Sequence, residues 1–324
     1  MKLLRSRPEL GGRRGVAILF PIAVASLIGV GWLVLSHSRG EASPVADGRY
    51  EPARYYVDPL SDRSNIQPPG IVLGPNGIPR VQYPGIGYHD NPVTAAQYGL
   101  WAYGMYLGDH DAAHRRVVLH VADWLVANQR RGRWLYDFDF YIHDLTLAKP
   151  WSSAMAQGQA MSLLSRAYRL TGEQRYRLSA LRGLAPLSVP VAAGGLRRCF
   201  FADCAQPFFE EYPTTPPSYV LNGFMFTLIG LYDLASIAPK SRALSMYAAG
   251  RRTLNAALPK YDVGGVATYD LSHKTVPGRK PEPASPDYQA IHVYLLRALD
   301  SLGSNSRFRH YADRWEANSP APAG

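Results

Sequence analysis

Three stretches of the 324-residue chain bring proton-handling side chains close together in sequence. The first is Phe209-Glu210-Glu211-Tyr212-Pro213-Thr214-Thr215-Pro216-Pro217, two adjacent carboxylates beside a phenol in a segment stiffened by prolines. A buried glutamate next to a tyrosine can take its proton or hold it in a short hydrogen bond. The same residues ahead of a helix also have a purely structural use, complementing the macrodipole by ~0.3–1 kcal/mol. The second stretch, Thr268-Tyr269-Asp270-Leu271-Ser272-His273, follows Gly264-Gly265. The third is Asp287-Tyr288 with His292 one helical turn further on and therefore on the same face. A Tyr–His pair at that spacing is commonly packing; three tyrosines from three connectors at one rim are a less common arrangement. Glu210 and Glu211, being neighbours, point apart and do not flank a bond at the set separation that glycoside hydrolysis needs.

Helical periodicity supplies the elements that position these residues. Asn91-Pro92 reads as an N-cap followed by proline at the first helical position. From there the spacing predicts helices over about 92–107 and 111–129, 152–170 and 173–187, 217–235 and 239–258, and 286–302 and 304–317. In each pair the first helix is apolar and often rich in small residues, as in VLNGFMFTLIGLYDL, and the second is more amphipathic and basic, as in SRALSMYAAGRRTLNAAL. Short turns within pairs make antiparallel neighbours, and long connectors between pairs return to one end of the bundle. The expected fold is all-α dominated, an incomplete α/α toroid of about four helix pairs (residues 91–318) with short β-hairpins at its rim. The connectors converge there, and structured connectors on a rigid scaffold are where chemistry usually sits.

Ahead of this domain, Lys2, Arg5, Arg7, Arg13 and Arg14 precede an uncharged apolar run from Val16 to Leu35. About twenty residues at ~1.5 Å each span ~30 Å, the thickness of a bilayer core. The expectation is a cytoplasmic segment over 1–15 and an N-terminal transmembrane helix over 16–35, with an uncleaved anchor preferred to a long signal peptide. The rest is then extracytoplasmic. Residues 36–90, rich in Pro and Gly, read as a linker that becomes an extended loop, and 319–324 as a tail. In an oxidising compartment Cys199 and Cys204 could close a small hairpin as a disulfide, and no cysteine or histidine cluster reads as a metal site. Net charge +10 and pI near 9.6 favour acidic partners. The arginines are scattered and no nucleic-acid motif appears, which turns the expectation from nucleic acid to an anionic glycan. Twenty-one tyrosines suit a carbohydrate cleft as well as ordinary packing.

EEYPTTPPSYVLNGFMFTLIGLYDL, WSSAMAQGQAMSLLSRAY, TYDLSH, HVADWLVANQ and DYQAIHV, in the family's order, resemble the carboxyl-terminal domain of the D-glucuronyl C5-epimerases over roughly residues 83–317. The resemblance implies an α/α toroid that inverts C5 of glucuronate to iduronate in an acidic, heparan-type polysaccharide. It further implies Tyr212, Tyr269, Tyr288 and Glu211 as catalytic and Asn222 in the substrate cleft. His292 is retained, and Glu210 and Arg279 are added here as candidate substrate-binding residues. No cofactor is expected, and one chain or a homodimer can form the active unit. Proton abstraction at C5 leaves an enediolate, so cationic donors should clamp the substrate carboxylate. The chain departs from the pattern at three places: Ser272 stands where arginine is common, Ser285-Pro286 where an Arg-Trp pair is common, and Gln289 where a histidine is common. Arg279, Lys280, Arg197 or Arg198 are left to supply the clamp. A polysaccharide lyase begins with the same abstraction, and a non-catalytic acidic-glycan-binding protein would need no clamp; both remain alternatives.

Overall fold

The computed structural model describes residues 49–57 and 70–319. The expected cytoplasmic segment 1–15 and membrane helix 16–35 lie outside these residues. Among the described residues no helix is long and apolar enough to cross a membrane.

Eight helices form four consecutive pairs: α1 (Pro92–Asp109) with α2 (Ala112–Asn128), α3 (Ala154–Thr171) with α4 (Gln174–Arg182), and, after the short α5 (Leu184–Ser188), α6 (Leu221–Ile237) with α7 (Ala243–Tyr261). After the single turn α8 (Ser272–Thr275), α9 (Pro286–Ser301) pairs with α10 (Ser306–Asn318). The first members pack side by side in the order α1, α3, α6, α9, and each carries its partner on the outside. These inner helices run parallel where their contacts can be followed. Gly99 meets Leu163 and Tyr103 meets Arg166, while Gly158 meets Phe226 and Thr227 and Arg166 meets Asp233. The backbones of α3 and α6 approach so closely that a Cβ on Gly230 would overlap the Gly158 backbone.

Local chemistry explains where the helices begin. Asn91 Oδ1 accepts from the amides of Val93 and Thr94 at 2.9 and 3.2 Å, with Pro92 in the first turn. The expected helix over 217–235 instead starts at Leu221, because Pro216 and Pro217 hold the preceding chain extended. The expected helix over 173–187 divides into α4 and α5 around Gly183.

Within the expected linker and loop of 36–90, the described residues 49–57 and 70–90 are packed on the domain. Strands β1 (Ile71–Leu73), β2 (Pro79–Tyr83) and β3 (Gly87–Asp90) form an antiparallel sheet that buries Ile78 and Val81 against the domain. Residues 50–57 enter the helical arc: Tyr50, Tyr56 and Val57 are buried, and Tyr103 Oη donates to the Ala53 carbonyl at 2.7 Å. The connectors carry the remaining strands. β4 (Leu135–Tyr136) pairs with β7 (Trp151–Ser152), enclosing the hairpin of β5 (Phe140–Ile142) and β6 (Leu145–Leu147). β8 (Arg197–Phe200) pairs with β9 (Asp203–Phe209), and β10 (Asp262–Val263) with β11 (Val266–Ala267). Cys199 and Cys204 are bonded across the β8–β9 turn.

Candidate active site

The amides in the first turn of an α-helix have no partner within the helix, and here connector backbone satisfies the first of them in two helices. Ala154 N at the head of α3 donates to the Glu210 carbonyl at 3.0 Å, and Leu221 N at the head of α6 donates to the Tyr269 carbonyl at 3.1 Å. At α9, Ser285 Oγ accepts from Tyr288 N at 3.4 Å. The bonds that finish the helices therefore also fix the residues that bear the carboxylates and phenols. Three helix N-termini converging on one place supply positive potential that favours anions there.

Glu211, Tyr212, Tyr269 and Tyr288 meet at this end. Tyr212 lies beside the Glu211 carboxyl, Tyr269 beside Tyr212, and Tyr288 beside Tyr269. The rings of Tyr269 and Tyr288 meet edge-on at 4.8 Å, and Tyr212 stacks on Phe140 at 5.4 Å. Tyr212 and Tyr288 are buried, whereas Tyr269 is half-buried. Gly223 is required beside Glu211, because any Cβ there would overlap the carboxylate. Its neighbour Asn222 is buried with both amide atoms unpartnered among the described residues, as is Glu211 Oε2. Buried polar atoms in that state are aimed at a ligand or water.

Burial pushes the Tyr269 and Tyr288 phenols well above 10, with the negative charge of Glu211 adding to it. Burial also pushes the Glu211 carboxyl up to about 7; Asp270 adds to this and the Tyr212 hydrogen bond opposes it. Of Glu211, Tyr269 and Tyr288, Glu211 is the one brought near neutral pH. Because its folded value lies above the ordinary 4.5, the stability it confers is complete below that value and is lost as pH rises to about 7. At ~1.4 kcal/mol per pH unit of displacement the loss is at most on the order of 3 kcal/mol. Glu211→Gln is expected to flatten that part of the decline, measured by chemical denaturation at about pH 5 and about pH 8. An unchanged decline would remove Glu211 as its source.

The other predicted residues take different places. Glu210 is fully buried and pairs with Arg198 Nε at 3.0 Å while accepting from Tyr219 N at 3.2 Å, so it braces the connector and does not face the cluster. Burial holds its carboxyl at about 8 against the pull of Arg198. His292 is buried between the rings of Tyr288 and Trp315, at 6.4 and 6.2 Å, and burial lowers it to about 3, so it backs Tyr288 as a neutral imidazole. Gln289 locks β11 to α9, accepting from Ala267 N at 2.9 Å and donating to the Ala267 carbonyl at 2.6 Å. Arg279 reaches the site indirectly, donating to His143 Nδ1 at 2.8 Å, and His143 Nε2 in turn meets Asp270. Asp270 also accepts from Ser272 N and Oγ at 2.9 and 2.8 Å. His143 is not among the residues the sequence points to, and Asp270 enters there only as a member of the Thr268–His273 stretch. The signal for His143 was a His-Asp pair midway along a long connector.

A family model described as D-glucuronyl C5-epimerase C-terminus matches residues 127–317. The chain is 39% identical over 217 residues to a D-glucuronyl C5-epimerase of Caenorhabditis elegans, covering 62% of this chain and 35% of that protein. It is 33% identical over 184 residues to an uncharacterized protein of Methanocaldococcus jannaschii, covering 56% of each. The chain therefore spans about a third and about half of the lengths of these relatives. A family 76 glycoside hydrolase from a bovine Bacteroides thetaiotaomicron strain superposes with a TM-score of 0.47 at 14% identity, covering 72% of this chain and 48% of that one.

Proposed function

Since the chain belongs to the family of the D-glucuronyl C5-epimerase C-terminus, we propose that it is a polysaccharide uronate 5-epimerase, inverting glucuronate to iduronate within an acidic glycan. The observation that carries this reading is the cluster in which Glu211, Tyr212, Tyr269 and Tyr288 lie side by side at one end of the helices. Inversion at C5 needs one group to remove a proton from one face of the sugar and another to deliver one to the opposite face. A phenol of ordinary pKa is a weak base at neutral pH. Tyr212 escapes that limit by passing its own proton to Glu211 as its oxygen takes the C5 proton. The resulting enediolate is stabilised by the three helix N-termini. Tyr288 returns a proton from the other face, and Tyr269, beside it, replenishes it. Asn222 offers its unpartnered amide to the sugar. The expected anchor at 16–35 would place this reaction outside the cytoplasm, next to a membrane.

The test is incubation of the purified protein with glucuronate-containing polymers in deuterated water. C5 deuterium is read by NMR and chain ends by ultraviolet absorbance. Deuterium at C5 with iduronate signals and no new absorbance is the expected result. Absorbing ends would reassign the protein as a lyase, and binding without exchange would make it a glycan-binding protein.

A further inference from the structure

We propose that Arg279 and His143 form the site that binds the carboxylate of the reacting uronate; this rests on the epimerase reading and names its missing cationic partner. The site is built on the β5–β6 hairpin. Its turn residues, His143 and Asp144, both have left-handed backbone angles, φ 49 and 63°, which is the conformation of a tight two-residue hairpin turn. Phe140 on the same hairpin stacks on Tyr212, so the position of the tip is tied to that of the phenol cluster.

Protonation at the tip follows from the hydrogen bonds. A guanidinium has donors only, so His143 Nδ1 accepts from Arg279 and the ring proton lies on Nε2, where it is donated to Asp270. Asp270 is held further by Ser272, the residue that stands in the place expected for an arginine. The orienting chain therefore runs from Ser272 through Asp270 and His143 to Arg279, and its first carboxylate adjoins Tyr269 in sequence.

The two arginines near the cluster differ in what holds them. Arg198 is committed to the fully buried Glu210 and to the Thr214 carbonyl. Arg279 meets Asp144 at 3.5 Å, and that carboxylate is 94% exposed. A pair with one partner this exposed, at 3.5 Å, is weak and exchanges readily. Asp144 thus occupies the guanidinium as a weak stand-in, which a substrate carboxylate can displace with the bidentate geometry that arginine favours. Charge points the same way. Glu211 and Asp270 already place two carboxyl groups at the cluster, so a third, from substrate, needs Arg279 beside it.

The experiment compares binding of a heparan-type glucuronate oligosaccharide with binding of its carboxyl-reduced, neutral counterpart, using the full chain and three variants. The wild type is expected to prefer the acidic probe, and Arg279→Gln to lose at least about tenfold in affinity for it with little change for the neutral one. His143→Gln, which keeps a polar group but not the imidazole geometry, is expected to give an intermediate loss. Asp144→Ala, which removes the stand-in, should bind the acidic probe as well as the wild type or better. Equal affinity for the two probes in the wild type, or undiminished preference in Arg279→Gln, overturns the inference. Deuterium exchange is measured in parallel. A wild type that exchanges beside an unaffected Arg279→Gln leaves the epimerase standing and removes this site. A carboxylate preference lost in Arg279→Gln without any exchange keeps the site and removes the epimerase.

Discussion

Replacing Tyr212 by phenylalanine is expected to slow C5 deuterium exchange by ~10²–10⁴, the range ordinarily supplied by one positioned acid–base group. The substitution removes one oxygen. The ring keeps its stacking on Phe140 and its contact with Trp151 at 6.1 Å, so the fold and the glycan affinity should change little. What disappears is the link between Glu211 and Tyr269. Glu211 also loses the hydrogen bond that opposes the effect of burial, and its carboxyl moves further up and becomes more fully protonated. Base and proton sink therefore fail together. Glu211→Gln tests the same step from the other side, since an amide can accept the hydrogen bond but cannot take the proton. If both variants exchange deuterium at the wild-type rate while binding normally, the proton leaves C5 by another route.

The three tyrosines were legible because connector length and helix order force connectors to one end of the bundle, whatever the side-chain detail. The capping of α3 and α6 by the Glu210 and Tyr269 carbonyls is the physical form that convergence takes. Glu210 was harder to place. The residue types alone present two equivalent carboxylates; the family resemblance singles out Glu211, and packing shows why Glu210 differs, since it turns toward Arg198. His143 escaped notice because its role depends on Asp270, 127 residues away. The absence of arginine at Ser272 was visible, but not that Ser272 is used to orient Asp270. Residues 50–57 were read as linker for a similar reason. Their composition is that of exposed chain, and the partners that bury them are Arg166 and Asp233, in helices that read as uniformly apolar.

Those partners set the second large effect: Arg166→Met is expected to destabilise the protein by ~3–5 kcal/mol, the usual consequence of stranding one member of a buried ion pair. Arg166 and Asp233 are both fully buried, and the guanidinium donates to Asp233 Oδ2 at 2.7 Å and to Tyr50 Oη at 3.1 Å. It lies over the rings of Tyr56 and Tyr103, at 5.2 and 5.5 Å, while Tyr50 Oη donates to Asp233 at 2.8 Å. One cation thus holds α3, α6, α1 and the 50–57 segment at a common point. Methionine fills much of the same volume, so the loss measures charge and hydrogen bonding more than a cavity. If stranding is the cause, neutralising Asp233 as well should help, and Arg166→Met with Asp233→Asn should be more stable than Arg166→Met alone. The single variant should also be less destabilised at low pH, where Asp233 can take a proton instead of remaining an unpaired anion. Urea unfolding at two pH values measures both, and limited proteolysis near Ala53 reports whether the segment leaves the arc first. A double variant as unstable as the single one would mean that Arg166 acts by packing the tyrosine rings rather than by its charge.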